Sequence, residues 1–211
     1  MLSAFSILLI GFVLGMRHAT DADHVVAVTT IVSDQPSLLR ASAVGALWGI
    51  GHSITILLVG GVIVVFRVGI PPRIGLAMEF AVAIMLVVLG AVNLSGRQIA
   101  GARSSTRPLV VGFVHGLAGS AFVALLVVAA VPGAWLGLLY LALFGVGTIA
   151  GMGLITMALA MPSALTARRF VNMQRYLRLA SGLASVAFGL VLMRNGIADG
   201  LFSDAPRWSP H

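Results

Sequence analysis

Apolar and polar positions divide the chain into six long apolar stretches separated by short polar segments. The stretches cover residues 2–32, 41–66, 74–94, 108–131, 135–160 and 179–197. A helix needs about 20 residues to cross the hydrocarbon core of a bilayer, so each stretch is long enough to span it. The first is also long enough for a tilted or broken helix. The pattern predicts an all-α fold with six transmembrane helices in one domain, residues 1–211.

Composition favours a membrane protein over a soluble one. Apolar residues make up 59% of the chain and charged residues only 9%, whereas soluble domains carry about 25% charged residues. Because the arginines lie between the apolar stretches, they are expected to orient helices, and nucleic-acid binding is not expected. The absence of cysteine excludes a thiolate metal site, a catalytic thiol and a disulfide framework. The lipid bilayer is the expected partner, and a homo-oligomer is left open.

The arginines also predict an orientation. Eight of them follow the first, third and fifth stretches and share one side of the membrane: Arg40, Arg97, Arg103, Arg107, Arg168, Arg169, Arg175 and Arg178. Cytoplasmic loops carry the excess of positive residues, so this side is predicted to be cytoplasmic and both termini extracytoplasmic. The N-terminus lacks a positively charged segment and an evident cleavage site, which predicts a retained helix in the cell membrane.

Short motifs recur between the two halves of the chain. Gly15-Met-Arg-His18 corresponds to Gly112-Phe-Val-His115 at an offset of 97, and the Gly-x-Gly of 49–51 corresponds to 145–147 at 96. A weaker match relates 90–92 to 189–191 at 99. Half-repeats of three spans, about 2–96 and 108–198 with a basic linker at 97–107, must have opposite orientations. Such inverted repeats are typical of secondary transporters, whose sites lie near midplane between the halves.

The first stretch contains a dense polar cluster, consisting of Arg17, His18, Asp21, Asp23 and His24. Each such group costs roughly 2.5–3.5 kcal/mol at the centre of a membrane helix, so the cluster must face the protein interior or a wet cavity and marks a functional site. On a continuous helix, His18, Asp21 and His24 share one broad face, and Asp23 points to the other side.

His52 and His115 are the other histidines within the predicted spans. Four imidazoles with one or two carboxylates form a nitrogen and oxygen site, which suits Ni²⁺, Co²⁺, Cu²⁺ or Zn²⁺ and argues against Cu⁺. Asp21 and Asp23 would then be ligands or would hold a histidine tautomer. Structural alternatives stay open: Arg17 and Asp21 form an i,i+4 pair that neutralises itself, and His52 and His115 are packed histidines that bond neighbouring carbonyls.

The polar segment resembles a known family. Arg17-His-Ala-Thr-Asp-Ala-Asp-His24 is similar to the His-x4-Asp-His signature helix of the nickel/cobalt transporter superfamily, and Gly51-His52-Ser53 resembles the next histidine-bearing helix of that family. The segment 115–120 looks like the branch that includes nickel/cobalt efflux proteins and urease-accessory membrane proteins. The resemblance implies metal handling by His18, Asp23 and His24, with His52 participating. The chain differs from the eight-span permeases by its six spans and by lacking their later Asp/Thr-rich signatures.

Together these observations predict a transporter of Ni²⁺ and/or Co²⁺ with no permanently bound cofactor. One alternative keeps the fold but is a proton-coupled exporter of a small anion, with Arg17 as counter-charge. Another is an accessory membrane protein that delivers nickel for metalloenzyme maturation. An enzyme is not expected, because a Ser–His hydrolase would need Ser53 or Ser120 beside a histidine, and the His-Glu-x-x-His motif of membrane zinc proteases is absent.

Overall fold

The computed structural model describes residues 3–32, 37–96, 106–131, 133–166 and 171–208, with the backbone alone described at 119–126, 128–130, 162–166 and 171–174. Within these ranges every regular element is a helix. The helices are α1 (Ala4–His18), α2 (Ala22–Val32), α3 (Leu38–Thr55), a π-helical segment (Ile56–Gly60), α4 (Gly61–Phe66), α5 (Pro72–Leu94), α6 (Thr106–Ala130), α7 (Ala134–Thr166) and α8 (Val171–Ala198). The predicted all-α fold is therefore confirmed.

The helices have the length and composition of a multi-pass membrane protein. Among the described residues, four helical stretches are long and apolar enough to cross a membrane: Leu38–Phe66, Pro72–Leu94, Ala134–Met161 and Arg175–Ala198. The pair α1 and α2 makes a fifth if it counts as one span, and the two helices meet at a bend of 54°. Helix α6, with 25 residues, lies where the sequence predicts the fourth span. Helices α7 and α8 run further into the basic segment 162–178 than the apolar pattern predicts.

The break between α1 and α2 follows from local hydrogen bonding. The backbone N–H of Thr20 donates to Arg17 O (2.8 Å), and that of Asp21 donates to His18 O (3.1 Å), so both bonds span three residues. The Thr20 hydroxyl also donates to Arg17 O at 2.7 Å. Regular α-helical bonding resumes with Val25 N to Asp21 O (3.0 Å). Short polar side chains compete with the helix for backbone groups, which makes Thr20 and Asp21 a suitable place for a break.

Small residues bring the helices of the two halves into backbone contact. On α1, Gly15 lies so close to the carbonyl of Phe144 on α7 that a side chain there would overlap it. On α6, Gly112 lies in the same way against the carbonyl of Trp48 on α3. Gly112 lies 97 positions after Gly15, and Phe144 lies 96 positions after Trp48. The first contact therefore joins a glycine of the first half to a carbonyl of the second. The second contact joins the equivalent glycine of the second half to the equivalent carbonyl of the first.

The same reciprocity holds for two more pairs of contacts. Gly51 on α3 lies against the carbonyl of Leu109 on α6, and Gly147 on α7 lies against that of Phe12 on α1. In the pair of α5 and α8, the Cβ position of Gly90 is 2.7 Å from Gly182 O, and that of Gly189 is 2.8 Å from Ala83 O. Close approach through small residues is the usual way in which membrane helices associate. The weak 90–92 match in sequence thus corresponds to an equivalent contact in the structure.

The segment after α8 folds back onto the start of α5. The indole of Trp208 covers Gly75, where any side chain would overlap it, and its Nε1–H donates to Glu79 Oε1 at 2.7 Å. Arg73 Nη2 donates to Ser203 O at 3.0 Å. Trp208, Gly75 and Glu79 form a clasp that ties the end of the described chain to the third span.

We expect Gly51→Ala and Gly147→Ala to destabilise the protein by similar amounts, because the added methyl group would overlap a backbone carbonyl in two equivalent contacts. Overpacking of this kind costs about 1–3 kcal/mol. The measurement is the thermal unfolding midpoint of each purified variant in detergent. Gly69→Ala is the matched control, since nothing lies within 4 Å of the added group. Midpoints at 51 and 147 equal to that of the control would contradict the contact geometry.

Candidate metal centre

Four histidines from four helices meet in the interior. His18 ends α1, His24 lies in the first turn of α2, His52 lies on α3 and His115 on α6. His24, His52 and His115 are buried, with 0–1% of their surface exposed. Ring centroids of neighbouring pairs lie 4.4 to 5.9 Å apart, the shortest distance being that between His24 and His115. All four histidines that the sequence selects thus lie in one cluster.

Asp23 connects two of these rings. Its Oδ1 lies 2.9 Å from Nδ1 of His24 and also accepts the His24 backbone N–H at 2.9 Å. Its Oδ2 lies 2.9 Å from Nε2 of His115 on α6. The expectation that Asp23 points away from His18 and His24 is therefore wrong. It assumed a continuous helix, whereas the break at residues 19–21 changes the direction of α2 and places this carboxylate beside His24 and His115.

Asp21 and His18 form the second group of contacts. Asp21 Oδ2 lies 2.7 Å from Nδ1 of His18, and His18 Nε2 lies 3.1 Å from Nε2 of His52. Asp21 is half-exposed, with 52% of its side chain accessible. The Arg17 side chain is exposed and makes no hydrogen bond or ion pair with any residue in the described part of the chain. Among the described residues, the expected pair of Arg17 with Asp21 is therefore not observed, and Asp21 contacts the His18 ring instead.

These contacts determine which ring nitrogens carry protons. An ionised carboxylate only accepts hydrogen bonds, so Nδ1 of His18, Nδ1 of His24 and Nε2 of His115 are the protonated positions. His18 Nε2 then accepts from His52 Nε2. Each neutral ring keeps one nitrogen with a free electron pair. In three of them, that nitrogen is buried and has no hydrogen-bond partner among the described residues: His24 Nε2, His52 Nδ1 and His115 Nδ1.

Buried nitrogens without a protein partner are open to a ligand or a water molecule, because burying a polar atom without a hydrogen bond costs free energy. Neutral imidazoles whose other N–H is held by a carboxylate are the usual arrangement around a protein-bound transition metal. Two triplets each bring three donor atoms within 4.8 Å of one another: His18, His24 and His52, and Asp23, His24 and His115. The donor set fits the borderline-soft divalent ions that the sequence predicts.

Two aromatic residues that the sequence analysis did not select form walls of the cluster. Trp48 on α3 is buried, and its ring centroid lies 5.5 Å from that of His24 and 5.4 Å from that of His115. Phe144 on α7 lies 5.4 Å from His18. Trp48 precedes His52 by four residues, and this spacing on one helix face could have revealed it. Phe144 could be found only through its repeat relation to Trp48.

The fold and the cluster together define a multi-pass α-helical membrane protein with a histidine- and aspartate-lined centre in its interior. The chain is 37% identical to the urease accessory protein UreH of Bacillus sp. (strain TB-90), over an alignment of 217 positions that covers 93% of this chain and 95% of UreH. The chain therefore belongs to the UreH family of urease accessory proteins. No protein-family model matches it. No solved structure matches it either.

A metal ion bound at the cluster should quench the fluorescence of Trp48, because Ni²⁺ and Co²⁺ quench nearby indoles and this ring lies within 5.5 Å of two of the imidazoles. We expect saturable quenching in a Ni²⁺ titration of the purified protein, and none with Mg²⁺, which prefers oxygen ligands. Trp48→Phe should remove the quenching while the emission of Trp135 and Trp208 remains. Equal quenching in this variant and the wild type would place the bound ion elsewhere.

Proposed function

We propose that this protein moves Ni²⁺ and/or Co²⁺ across the cytoplasmic membrane, with the ion as transported substrate held by the histidine cluster. The observation that carries the proposal is the set of three buried imidazole nitrogens without partners, on His24, His52 and His115. Intramembrane ionisable groups are costly and mark ion pathways by default. Here they come from α1, α2, α3 and α6, so an ion bound by them would lie between helices of both halves.

The chemistry of the donors supports a late first-row divalent ion. The cluster offers imidazole nitrogens and carboxylate oxygens, and the chain has no cysteine that would favour Cu⁺ or a permanent thiolate site. Asp21 fixes the tautomer of His18, and Asp23 contacts the rings of His24 and His115 and also belongs to one of the two donor triplets. Most of the ligands are then neutral imidazole nitrogens. Few fixed charges at the ion allow binding to be reversible, as transport requires.

The reciprocal glycine contacts support an architecture of two inverted three-helix repeats. Each contact described between α1 and α7 has a counterpart between α3 and α6, at offsets of 96 and 97. Between α5 and α8, the two described contacts are counterparts of each other at an offset of 99. With α6 as a sixth span, the two repeats have opposite orientations in the membrane. We propose alternating access through this pair of repeats, with the arginine-rich loops in the cytoplasm and both termini outside.

A second candidate function is nickel delivery to the maturation of a metalloenzyme. It is favoured by the similarity to UreH, whose name describes a urease accessory protein. Transport and delivery are compatible if the ion crosses the membrane for use by such an enzyme. They separate in one respect: a transporter moves the ion without other proteins, whereas a delivery protein that lacks transport activity needs its acceptor.

The remaining alternatives have less support in the structure. Export of an anion requires Arg17 at the site, but this side chain is exposed and has no contact with the cluster in the described part of the chain. We also propose that the protein is not an enzyme. The Ser53 hydroxyl donates to Gly145 O at 3.0 Å rather than to a histidine, and the side chain of Ser120 lies outside those described.

The proposal predicts saturable uptake of radiolabelled Ni²⁺ into proteoliposomes that contain the purified protein. His24→Ala should reduce uptake to the background of empty liposomes, since this ring is common to both donor triplets. His211→Ala is the matched control, because it removes the one histidine of the chain outside the predicted spans. Arg17→Gln should keep Ni²⁺ uptake.

The outcomes separate the candidate functions. Uptake by the wild type that is lost in His24→Ala supports transport. Absence of uptake by well-folded wild type that still binds Ni²⁺ would overturn transport in favour of delivery. Absence of Ni²⁺ uptake together with transport of a small anion that is lost in Arg17→Gln and kept in His24→Ala would favour the anion exporter.

A further inference from the structure

His18 and His115, the histidines that end the repeated Gly-x-x-His motifs, occupy equivalent places in the structure. His18 and His115 differ by 97 positions, and each lies against an aromatic ring of the other half. His18 lies 5.4 Å from Phe144, and His115 lies 5.4 Å from Trp48. Phe144 follows Trp48 by 96 positions, so the two histidine–aromatic contacts are counterparts, like the glycine contacts beside them.

His24 lies at nearly the same distance from both members of this pair. Its ring centroid is 4.5 Å from that of His18 and 4.4 Å from that of His115. No histidine corresponds to it in the second half, where the sequence has Ala121 at the same offset of 97. The first half thus supplies one histidine, His24, that has no counterpart in the second half and lies close to both His18 and His115.

The two donor triplets share His24 and nothing else. The first consists of His18, His24 and His52, and the second of Asp23, His24 and His115. The first is made of neutral imidazoles, whereas the second includes a carboxylate. The counterpart of His52 at an offset of 96 is Thr148, whose hydroxyl donates to Phe144 O at 2.9 Å and supplies no donor to the cluster. Asp23 takes the place of the third imidazole on that side.

We propose that the transported ion occupies two positions in turn, with His24 bound to it in both. His18 and His52 complete the first position, and Asp23 and His115 complete the second. In the second position the ion replaces the two ring protons that face Asp23 in the ion-free protein, so His24 binds it through Nδ1 and His115 through Nε2, and each of these rings carries its proton on its other nitrogen. This inference rests on the proposed transport of Ni²⁺ or Co²⁺. In a transporter built from inverted repeats, equivalent residues exchange environments between the two access states. His18 and His115 are such equivalent residues. When the ion exchanges His18 for His115 as a ligand, it moves from the first position to the second while His24 stays bound.

The two positions differ in charge, which gives the second one the stronger electrostatic attraction for a divalent ion. A carboxylate in a region of low dielectric constant interacts with a cation far more strongly than it does in water. The ion is therefore expected to rest beside Asp23 and His115 at equilibrium. The first position, with neutral ligands only, is the one from which release is easier.

The test compares Ni²⁺ binding with Ni²⁺ transport in single variants of the full chain. Binding is measured by equilibrium dialysis of radiolabelled Ni²⁺ against the protein in lipid nanodiscs, and transport by uptake into proteoliposomes. We expect His18→Ala and His115→Ala each to bind one Ni²⁺ per chain, with affinity within about 100-fold of the wild type, the range for perturbed metal sites. Both should lose transport. His24→Ala should lose binding and transport together.

Co²⁺ provides a second readout that folding defects do not imitate. His18→Ala leaves a position with two imidazoles and a carboxylate, and His115→Ala leaves one with three imidazoles, so the visible absorption bands of bound Co²⁺ should differ between the two variants. His24→Gln is the control for packing, because glutamine fills more of the space of the histidine than alanine does. His211→Ala is the control for the loss of a histidine. Each variant is first checked for a monodisperse peak in size-exclusion chromatography.

Several results would overturn the two-position proposal. Equal loss of binding in His18→Ala, His24→Ala and His115→Ala would indicate one site that needs all three rings. Retained binding in only one of His18→Ala and His115→Ala would assign a single triplet. Retained binding in both His24→Ala and His24→Gln, or identical Co²⁺ spectra, would exclude His24 as the shared ligand. Failure of the proposed function is distinguishable, because the wild type would then bind or transport no Ni²⁺.

Discussion

Contacts between carboxylates and buried imidazole rings govern the centre of this molecule. Asp21 lies against His18, and Asp23 lies against His24 and His115. Each imidazole that a carboxylate holds in one tautomer must present its other nitrogen to the interior. The break in the first span makes these contacts possible, since a straight helix would direct Asp23 away from the rings. The imidazole nitrogens that face no carboxylate are the ones that suit a metal ion.

The frame around the site is nearly symmetric and the site itself is not. Gly15 with Phe144 and Gly112 with Trp48 are equivalent contacts that set the same helix separation in both halves. Within that frame, three of the four histidines belong to the first half. Where the first half has His52, the second has Thr148, whose hydroxyl is bonded to its own helix. Equivalent backbone contacts in the two halves thus surround a cluster whose histidines come mainly from the first half.

Hydropathy was sufficient to predict the all-α fold, because membrane spans are long and their composition is extreme; the number of six spans stays a prediction. Motif spacing was sufficient to select all four histidines of the cluster. The role of Asp23 could not be predicted in this way, since it depends on a break whose hydrogen bonds involve Thr20 and on the approach of His115 from a distant helix. The clasp of Trp208 on Gly75 and Glu79 was also missed, because it depends on long-range packing with no repeat or motif to indicate it.

The cross-packing of the two halves has a consequence for biogenesis. Helix α1 finds its backbone partner in α7, and α3 finds one of its partners in α6, so the small-residue faces of the first half have nothing to close against when they leave the ribosome. His18, Asp21, Asp23 and His24 therefore enter the bilayer before His115 exists to complete their network. Until the second half is synthesised, the incomplete chain holds polar side chains in the membrane without their partners. Insertion factors and membrane proteases can act on the chain during this interval.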